Sequence, residues 1–387
     1  MEKHIGYMIL IFFVTLALSV ALTPLVRRAA IRRGLVDMPG EERRVHSIPV
    51  PRLGGLAMYA AFAVGVVLTF AFGVRDFPPA KIGNEVFEGG RVALLLVGAG
   101  IITVVMAVDD IRGLKAPTKL IWQVVAALLV IIPSLVWPGA PNFPETTGAH
   151  YDQGAGILAT SIQNPFGHYG QPDGTIQLPL ILGVLFTLVW IVGLTNTVNW
   201  IDGLDGLAAG VTLVACVVMF IFTGPVLGQY TLSYLPLILG AAIIGFLPFN
   251  IHPARIFMGD SGAMFLGFTL AVLSLIGGAK IAAALLVVGI PMLDGAYLIV
   301  YRIIRGRSPM SADRSHLHHR LLDIGMSQQQ VVIIFCVLSG MFGVLALLPG
   351  LGLLKFYALV FMAIVLVALL VYISRRRFDR LPKEKPN

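Results

Sequence analysis

Four short segments carry most of the residues able to do chemistry. DDIRGL holds Asp109 and Asp110, and NTVNWIDGLDGLAAG holds Asn196, Asn199, Asp202 and Asp205. FNIHPARIFMGDSG holds Asn250, Arg255, Phe257 and Asp260, and DRSHLHHRL holds Arg314, His316, His318 and His319. The second segment is the most telling. It follows the apolar run LILGVLFTLVWIVGL and contains two Asp, two Asn and no basic residue. A merely solvated membrane boundary mixes Lys, Arg and Glu with Trp and Tyr. Carboxylates beside hydrocarbon are costly, at least about 2.5–3.5 kcal/mol for a charge at mid-bilayer. A cluster without its own counter-charge therefore asks for a cation. Carboxylate and amide oxygens without thiolate suit a hard divalent ion, Mg²⁺ with Mn²⁺ as a substitute, completed by water and substrate phosphates. The three-residue spacing gathers Asn196, Asn199, Asp202 and Asp205 on one broad side of a helical turn. Gly203 and Gly206 either let the chain bend and a ligand approach, or serve tight helix packing.

The remaining polar residues suit a phosphate-bearing ligand. Lys119 opens an apolar run nine residues after Asp110, and Arg255 precedes Asp260. His316, His318 and His319 lack a fourth soft ligand and have basic neighbours, which favours hydrogen bonding to phosphate or sugar over a zinc site. Two places stay open. His46 and Arg52, in RRVHSIPVPRLGG, either touch a ligand or order their loop. Asp294, in GIPMLDGAYLIVYR, lies inside an apolar run and is either functional or paired with a neighbouring helix.

These segments must be positioned by a membrane-embedded frame. Of 387 residues, 57% are hydrophobic and only 12% charged, against roughly a quarter charged in soluble domains. The apolar residues fall in eleven runs long enough to cross a bilayer as helices, near 5–26, 53–73, 91–108, 118–137, 178–195, 207–223, 231–248, 262–277, 281–303, 331–348 and 353–374. The pattern predicts an all-α polytopic membrane protein, residues 1–387 forming one integral domain. The first run is too long, and too poorly followed by small residues, to read as a cleaved leader. With the N-terminus outside and the C-terminus cytoplasmic, 22 of the 28 Lys and Arg fall inside, as the positive-inside rule requires. All four polar segments then land on that same inner face, although their acids and histidines played no part in setting it. Residues 138–177 form an extracytoplasmic loop without Lys or Arg, and 375–387 a basic cytoplasmic tail. The net charge of +8 reports orientation and attraction to anionic lipid and substrates, and nothing invokes nucleic acid. Cys216 and Cys336 suggest neither a disulfide framework nor a metal site.

The segments DDIRGL, NTVNWIDGLDGL, LPFNIHPARIFMGDSG and SADRSHLHHRLLDIG, with GLVDMPGEERRVHSIPVPRLGG before them, resemble in order the polyprenyl-phosphate N-acetylhexosamine-1-phosphate transferases. The resemblance runs from Gly34 to Gly325. It implies a Mg²⁺ site using Asp260 with Asn199, and places Asp109 and Asp110 near the acceptor phosphate, Asp109 to deprotonate or orient it. It also implies that Asp202, Asp205, Asn250 and Phe257 flank the nucleotide, while Lys119 and the histidine loop hold diphosphate and sugar. The family often writes its first motif DDxxD; here the third acidic position is Gly113. HLHH at 316–319 looks like the N-acetylglucosamine-phosphate branch, whereas the lipid I branch carries three consecutive histidines. The reaction implied transfers N-acetylglucosamine 1-phosphate from UDP-GlcNAc to undecaprenyl phosphate in a bacterial cytoplasmic membrane, with release of UMP. The alternative donors are another UDP-N-acetylhexosamine or UDP-MurNAc-pentapeptide, and the resemblance is also compatible with a homodimer. A secondary transporter would instead place ionisable residues near the bilayer midplane, where only Asp294 lies.

Overall fold

A computed structural model of the chain describes residues 2–37, 49–71, 85–136, 156–164, 166, 175–276, 281–304, 306, 316–348 and 352–380. His46 and Arg314 lie outside the described residues, as do most of 138–177 and the tail beyond 380.

The long helices are α1 (Glu2–Arg32), α2 (Gly54–Ala71), α3 (Glu85–Arg112), α4 (Ala116–Val136), α5 (Leu180–Ile201), α6 (Leu207–Ile221), α7 (Tyr230–Asn250), α8 (Gly259–Leu275) and α9 (Ile281–Ile304). A short α10 (Leu317–Asp323) precedes α11 (Gln328–Leu347) and α12 (Gly352–Arg380). Ten of these are long and apolar enough to cross a membrane, and α8, at 17 residues, is a shorter apolar helix. The chain is a multi-pass α-helical membrane protein. Eleven apolar helices match the eleven runs read from hydropathy, though several reach further than their runs: α1 continues through Arg32 and α3 through Asp109, Asp110 and Arg112.

The short helix is the centre of the bundle. Every residue of α8 from Ser261 to Leu275 is buried, packed against α2, α3, α5, α6 and α9. A helix apolar on all sides needs such enclosure, and protein rather than lipid surrounds it, so bilayer thickness does not set its length. Two close approaches fix its place. A side chain at Gly267 would put its Cβ 2.7 Å from the Thr195 Cα of α5. One at Gly55 would collide with the Ser261–Gly262 backbone, so α2 and α8 meet at their glycines. Some polar groups inside the bundle are satisfied across helices, as a low-dielectric surround favours: Trp190 Nε1 donates to Ser274 Oγ at 2.9 Å, and Ser19 Oγ to the Ala242 carbonyl at 2.6 Å.

Two small antiparallel ladders trim the ends. β1 (Val36–Asp37) pairs with β2 (Val50–Pro51), with Val36 opposite Pro51. β3 (Ser161–Gln163) pairs with β4 (Thr175–Gln177), with Ile162 opposite Ile176. The segment before β3 is more than an irregular loop. Residues 156–159 are buried, with Ile157 N donating to the Val130 carbonyl, Ala159 N to Thr187 Oγ1 and Arg91 Nε to the Gly156 carbonyl.

Candidate active site

The polar segments meet at the end of the bundle where α3 and α5 stop and α4 and α8 begin. Helix α3 ends at Arg112, and Gly113, at φ +68°, turns the chain back. That turn brings Leu114 N onto Asp109 Oδ1 at 2.5 Å. The glycine in place of a third acid therefore builds the exit from α3, in a left-handed conformation that glycine adopts without strain.

Asp110 caps a helix that is not its own. Its two carboxylate oxygens accept the Asp260 and Ser261 backbone N–H groups at 2.9 and 3.1 Å, two of the unpaired donors of the first turn of α8. Gly259, at φ +70°, has no room for a side chain because a Cβ would run into the Asp110 carboxylate. Capping aims the Asp260 side chain back toward α4 and α5. Lys119 Nζ lies 2.7 Å from Asp260 Oδ2 and 2.5 Å from Asp109 Oδ2, and Asn199 Nδ2 donates to Asp260 Oδ1 at 3.2 Å. One ammonium thus bridges two carboxylates.

Oxygen atoms of Asp109, Asp110 and Asp260 all lie within 4.8 Å of one another. Asp202, at the C-cap of α5, adds a fourth carboxylate. Its carboxyl is pushed well above the ordinary range, first by burial and then by the charges of Asp260, Asp110 and Asp205. Three converging carboxylates with a fourth beside them outnumber the single lysine. The set contains oxygen donors and neither thiolate nor imidazole, so it fits a hard divalent cation. Asp260, expected as a ligand together with Asn199, lies in this set; Asp109 and Asp110 come within ligand reach beside it, and Asn199 bonds Asp260 from α5. Asp109 has both oxygens engaged, by Leu114 N and Lys119, an arrangement that holds the lysine beside Asp260.

Asp205 and Asn250 fasten loops. Asp205 Oδ2 accepts from Ala254 N at 3.0 Å and meets His252 Nδ1 at 2.8 Å. Asn250 is 2% exposed, accepting from Gly206 N and donating to the Ile256 carbonyl. Both ends of its amide are engaged within the protein, tying the end of α7 to the Asp202–Gly206 turn and to Ile256. Phe257 is half-buried, its backbone pairing with Pro51 and Gly54. Arg52 pairs with Asp37 Oδ1 at 2.6 Å across the β1–β2 ladder, within electrostatic reach of Asp110 and Asp260. Asn196 lies one turn deeper, its amide exchanged with that of Gln123.

The histidines form the other wall. Asp294 of α9 is 2% exposed; it accepts from His316 Nδ1 at 2.8 Å and from Leu317 N at 3.1 Å. It is paired, and its partner is the histidine loop. His316 stacks between Trp200, at 6.0 Å, and His318, at 5.7 Å. His318 is 1% exposed and neither ring nitrogen has a hydrogen-bond partner among the described residues. Burial, then His319 and His316, holds it well below 6.5, so the ring is neutral. Gly203 joins the two walls: a Cβ there would sit 2.5 Å from His318 Nε2. The turn from Asp202 to Gly206 therefore lies within electrostatic reach of the carboxylates through Asp202 and against the histidines through Gly203. Trp200 and Gln123 were passed over in the sequence. Trp200 sits inside the Asn/Asp segment, and Gln123 is the one amide in an apolar run, so both left a readable signal.

A model of glycosyl transferase family 4 matches residues 92–278, which takes in Asp109 through Asp260 and stops before Asp294. A probable undecaprenyl-phosphate N-acetylglucosaminyl 1-phosphate transferase of Bacillus subtilis is 32% identical over 356 residues, 90% of this chain and 86% of that protein. This chain belongs to glycosyl transferase family 4. Other relatives of this family 4 chain include a decaprenyl-phosphate N-acetylglucosaminephosphotransferase of Mycolicibacterium smegmatis, 35% identical over 81% of this chain and 75% of that protein. A phospho-N-acetylmuramoyl-pentapeptide-transferase of Staphylococcus aureus is 25% identical over 89% of this chain and 98% of its own length. Membership accords with an enzyme whose polar residues gather at one end of a helical bundle.

Proposed function

We propose that this chain transfers N-acetylglucosamine 1-phosphate from UDP-GlcNAc to undecaprenyl phosphate, giving undecaprenyl-diphosphate-GlcNAc and UMP at the cytoplasmic face of a bacterial cytoplasmic membrane. The observation that carries this reading is the single turn, Asp202 to Gly206, shared by a carboxylate–lysine cluster and a histidine cluster. Support for the sugar comes from the relatives named for N-acetylglucosamine phosphate transfer, which are 32–35% identical, against 25% for the pentapeptide transferase. The last figure keeps UDP-MurNAc-pentapeptide as the second donor to test.

The chemical difficulty is electrostatic, because an anionic acceptor phosphate must approach an anionic diphosphate. An acceptor oxygen forms a bond to the sugar-linked phosphorus, and the bond from that phosphorus to the bridging oxygen breaks, leaving with its electron pair on UMP. Mg²⁺ held by Asp260 with Asp109 and Asp110 would supply charge neutralisation at the phosphates. Lys119, already between two carboxylates, adds positive charge beside the same phosphates. His318, neutral and without a hydrogen-bond partner among the described residues, has a ring N–H to donate to sugar or phosphate. Arg52 supplies a further cation on the β2 side. No proton need be removed from an acceptor that is already ionised, which leaves Asp109 to orient the acceptor and the lysine. Positioning and charge compensation then supply most of the rate, as in phosphoryl transfer generally.

The direct test incubates purified protein with Mg²⁺, undecaprenyl phosphate and either UDP-GlcNAc or UDP-MurNAc-pentapeptide, and weighs the lipid product by mass spectrometry. Lipid gaining one N-acetylhexosamine phosphate from UDP-GlcNAc is the expected result. Product from the pentapeptide donor alone, or from neither, refutes the assignment.

A further inference from the structure

We infer that Gln123 and Asn196 form an amide clamp that sets the register of α4, α5 and α8 and thereby holds Lys119 and Asn199 on Asp260. The inference deepens the reading of the carboxylate cluster as the transfer site. Neither residue reaches that cluster; both act on it from one helical turn deeper in the bundle.

The geometry is layered. In the upper layer, α4 contributes Lys119, α5 contributes Asn199, and both bond Asp260 of α8 at 2.7 and 3.2 Å. In the layer beneath, the same three helices contribute Gln123, Asn196 and Met264. Gln123 is four residues after Lys119, Met264 four after Asp260, and Asn196 three before Asn199, the spacings that stack side chains along one helix face. The lower residues also bond one another. Asn196 Nδ2 donates to Gln123 Oε1 at 2.6 Å, Gln123 Nε2 returns to Asn196 Oδ1 at 3.3 Å, and Gln123 Nε2 lies 3.3 Å from Met264 Sδ. Asn196 is further tied to its own helix through the Val192 carbonyl at 2.8 Å.

The arrangement bears on register for a physical reason. A reciprocal amide pair is directional, since each N–H must meet the other's oxygen. Gln123 is 2% exposed, so sliding α4 along α5 would leave its amide unsatisfied where water does not readily replace the bonds. An apolar pair of the same volume fills the space but tolerates sliding. Helices α4 and α8 barely touch along their backbones; each packs on α3 and α5. The ammonium of Lys119 therefore reaches Asp260 only if α4 and α5 are in the correct register. Gln123 and Asn196 are positioning residues.

The test uses full-length protein purified in detergent with Mg²⁺, UDP-GlcNAc and undecaprenyl phosphate. The double variant Q123M/N196L replaces both partners by near-isosteric apolar groups, a change that need not destabilise because neither amide is left unpaired. Its melting temperature should stay close to wild type, kcat should fall about tenfold to hundredfold, as for an ångström-scale misplacement, and KM should change little for either substrate. The exchange variant Q123N/N196Q, which keeps an amide pair of the same total length, should recover most of kcat. Acylation of Lys119 by an amine-directed reagent, followed by peptide mass spectrometry, reads the same displacement without turnover and should be several-fold faster in Q123M/N196L. Wild-type kcat and unchanged Lys119 protection in that variant would overturn the inference. So would loss of the folded state, which would assign the pair to folding alone. Failure of wild-type protein to transfer would instead fail the functional reading and leave Lys119 protection to decide this one.

Discussion

The two walls of the site sit on either side of the same turn, yet they are built in opposite ways. In the carboxylate cluster nearly every oxygen is engaged within the protein: Asp109 by Lys119 and Leu114, Asp110 by the first turn of α8, Asp260 by Lys119 and Asn199. In the histidine cluster Asp294 anchors His316 and Leu317, while His318 lies buried with both ring nitrogens lacking a hydrogen-bond partner among the described residues. Charge explains the contrast. Several carboxylates brought together repel one another and must be restrained by cations and backbone N–H groups even before a ligand arrives. A neutral imidazole costs far less to leave unpartnered and can wait for its hydrogen bond. One wall is held in tension; the other is held ready.

Removing the cation from the tense wall should have the largest effect. Lys119→Ala is expected to lower turnover by about three orders of magnitude, the scale of a lost electrostatic stabiliser, and to lower the melting temperature measured without divalent ion. Adding Mg²⁺ should restore part of that loss, because an added cation replaces the ammonium between Asp109 and Asp260. A variant melting like wild type in chelator would show that the lysine is not balancing the carboxylates.

A smaller effect is expected from Asp110→Ala, which leaves two N–H groups of α8 without acceptors. Loss of a helix cap costs about 0.5–2 kcal/mol, measurable as a lower melting temperature. Equal stability with and without this cap would detach Asp110 from the architecture of α8.

Acidification should sharpen the comparison at the histidine wall. The folded state keeps His318 neutral, its affinity for a proton lowered well below 6.5 by burial, His319 and His316, with Asp294 facing the cluster through His316. The unfolded chain protonates it normally, so it binds more protons than the native state once pH falls below about 6.5. Stability contributed at neutral pH is therefore lost on acidification. His318→Gln should flatten the fall in melting temperature between pH 7.5 and 5.5; an unchanged slope would show that His318 does not carry it.

Much of this was legible before any coordinates. Helices α1 to α9, α11 and α12 are visible as apolar runs because lipid and core both demand uninterrupted hydrophobicity. The segment from Asn196 to Gly210 stands out because its carboxylates lack basic neighbours. Element ends and pairings were not legible, since they depend on contacts distant in sequence. Helix α8 begins at Gly259 because Asp110, on another helix, caps it. Asp294 could be read as either functional or paired, and only the approach of α10 shows His316 as its partner. The clamp of Gln123 and Asn196 depends on the register between two helices, which hydropathy does not encode, although an amide within an apolar run announces that something must satisfy it.

The account stands on both walls serving one reaction. Lipid product formed by His318→Ala, measured by mass spectrometry beside wild type and Lys119→Ala under saturating Mg²⁺, UDP-GlcNAc and undecaprenyl phosphate, tests this most directly. The account predicts that both variants lose most product while His318→Ala remains folded, with at most a modest drop in melting temperature from the cavity it leaves. Wild-type product from His318→Ala would contradict it.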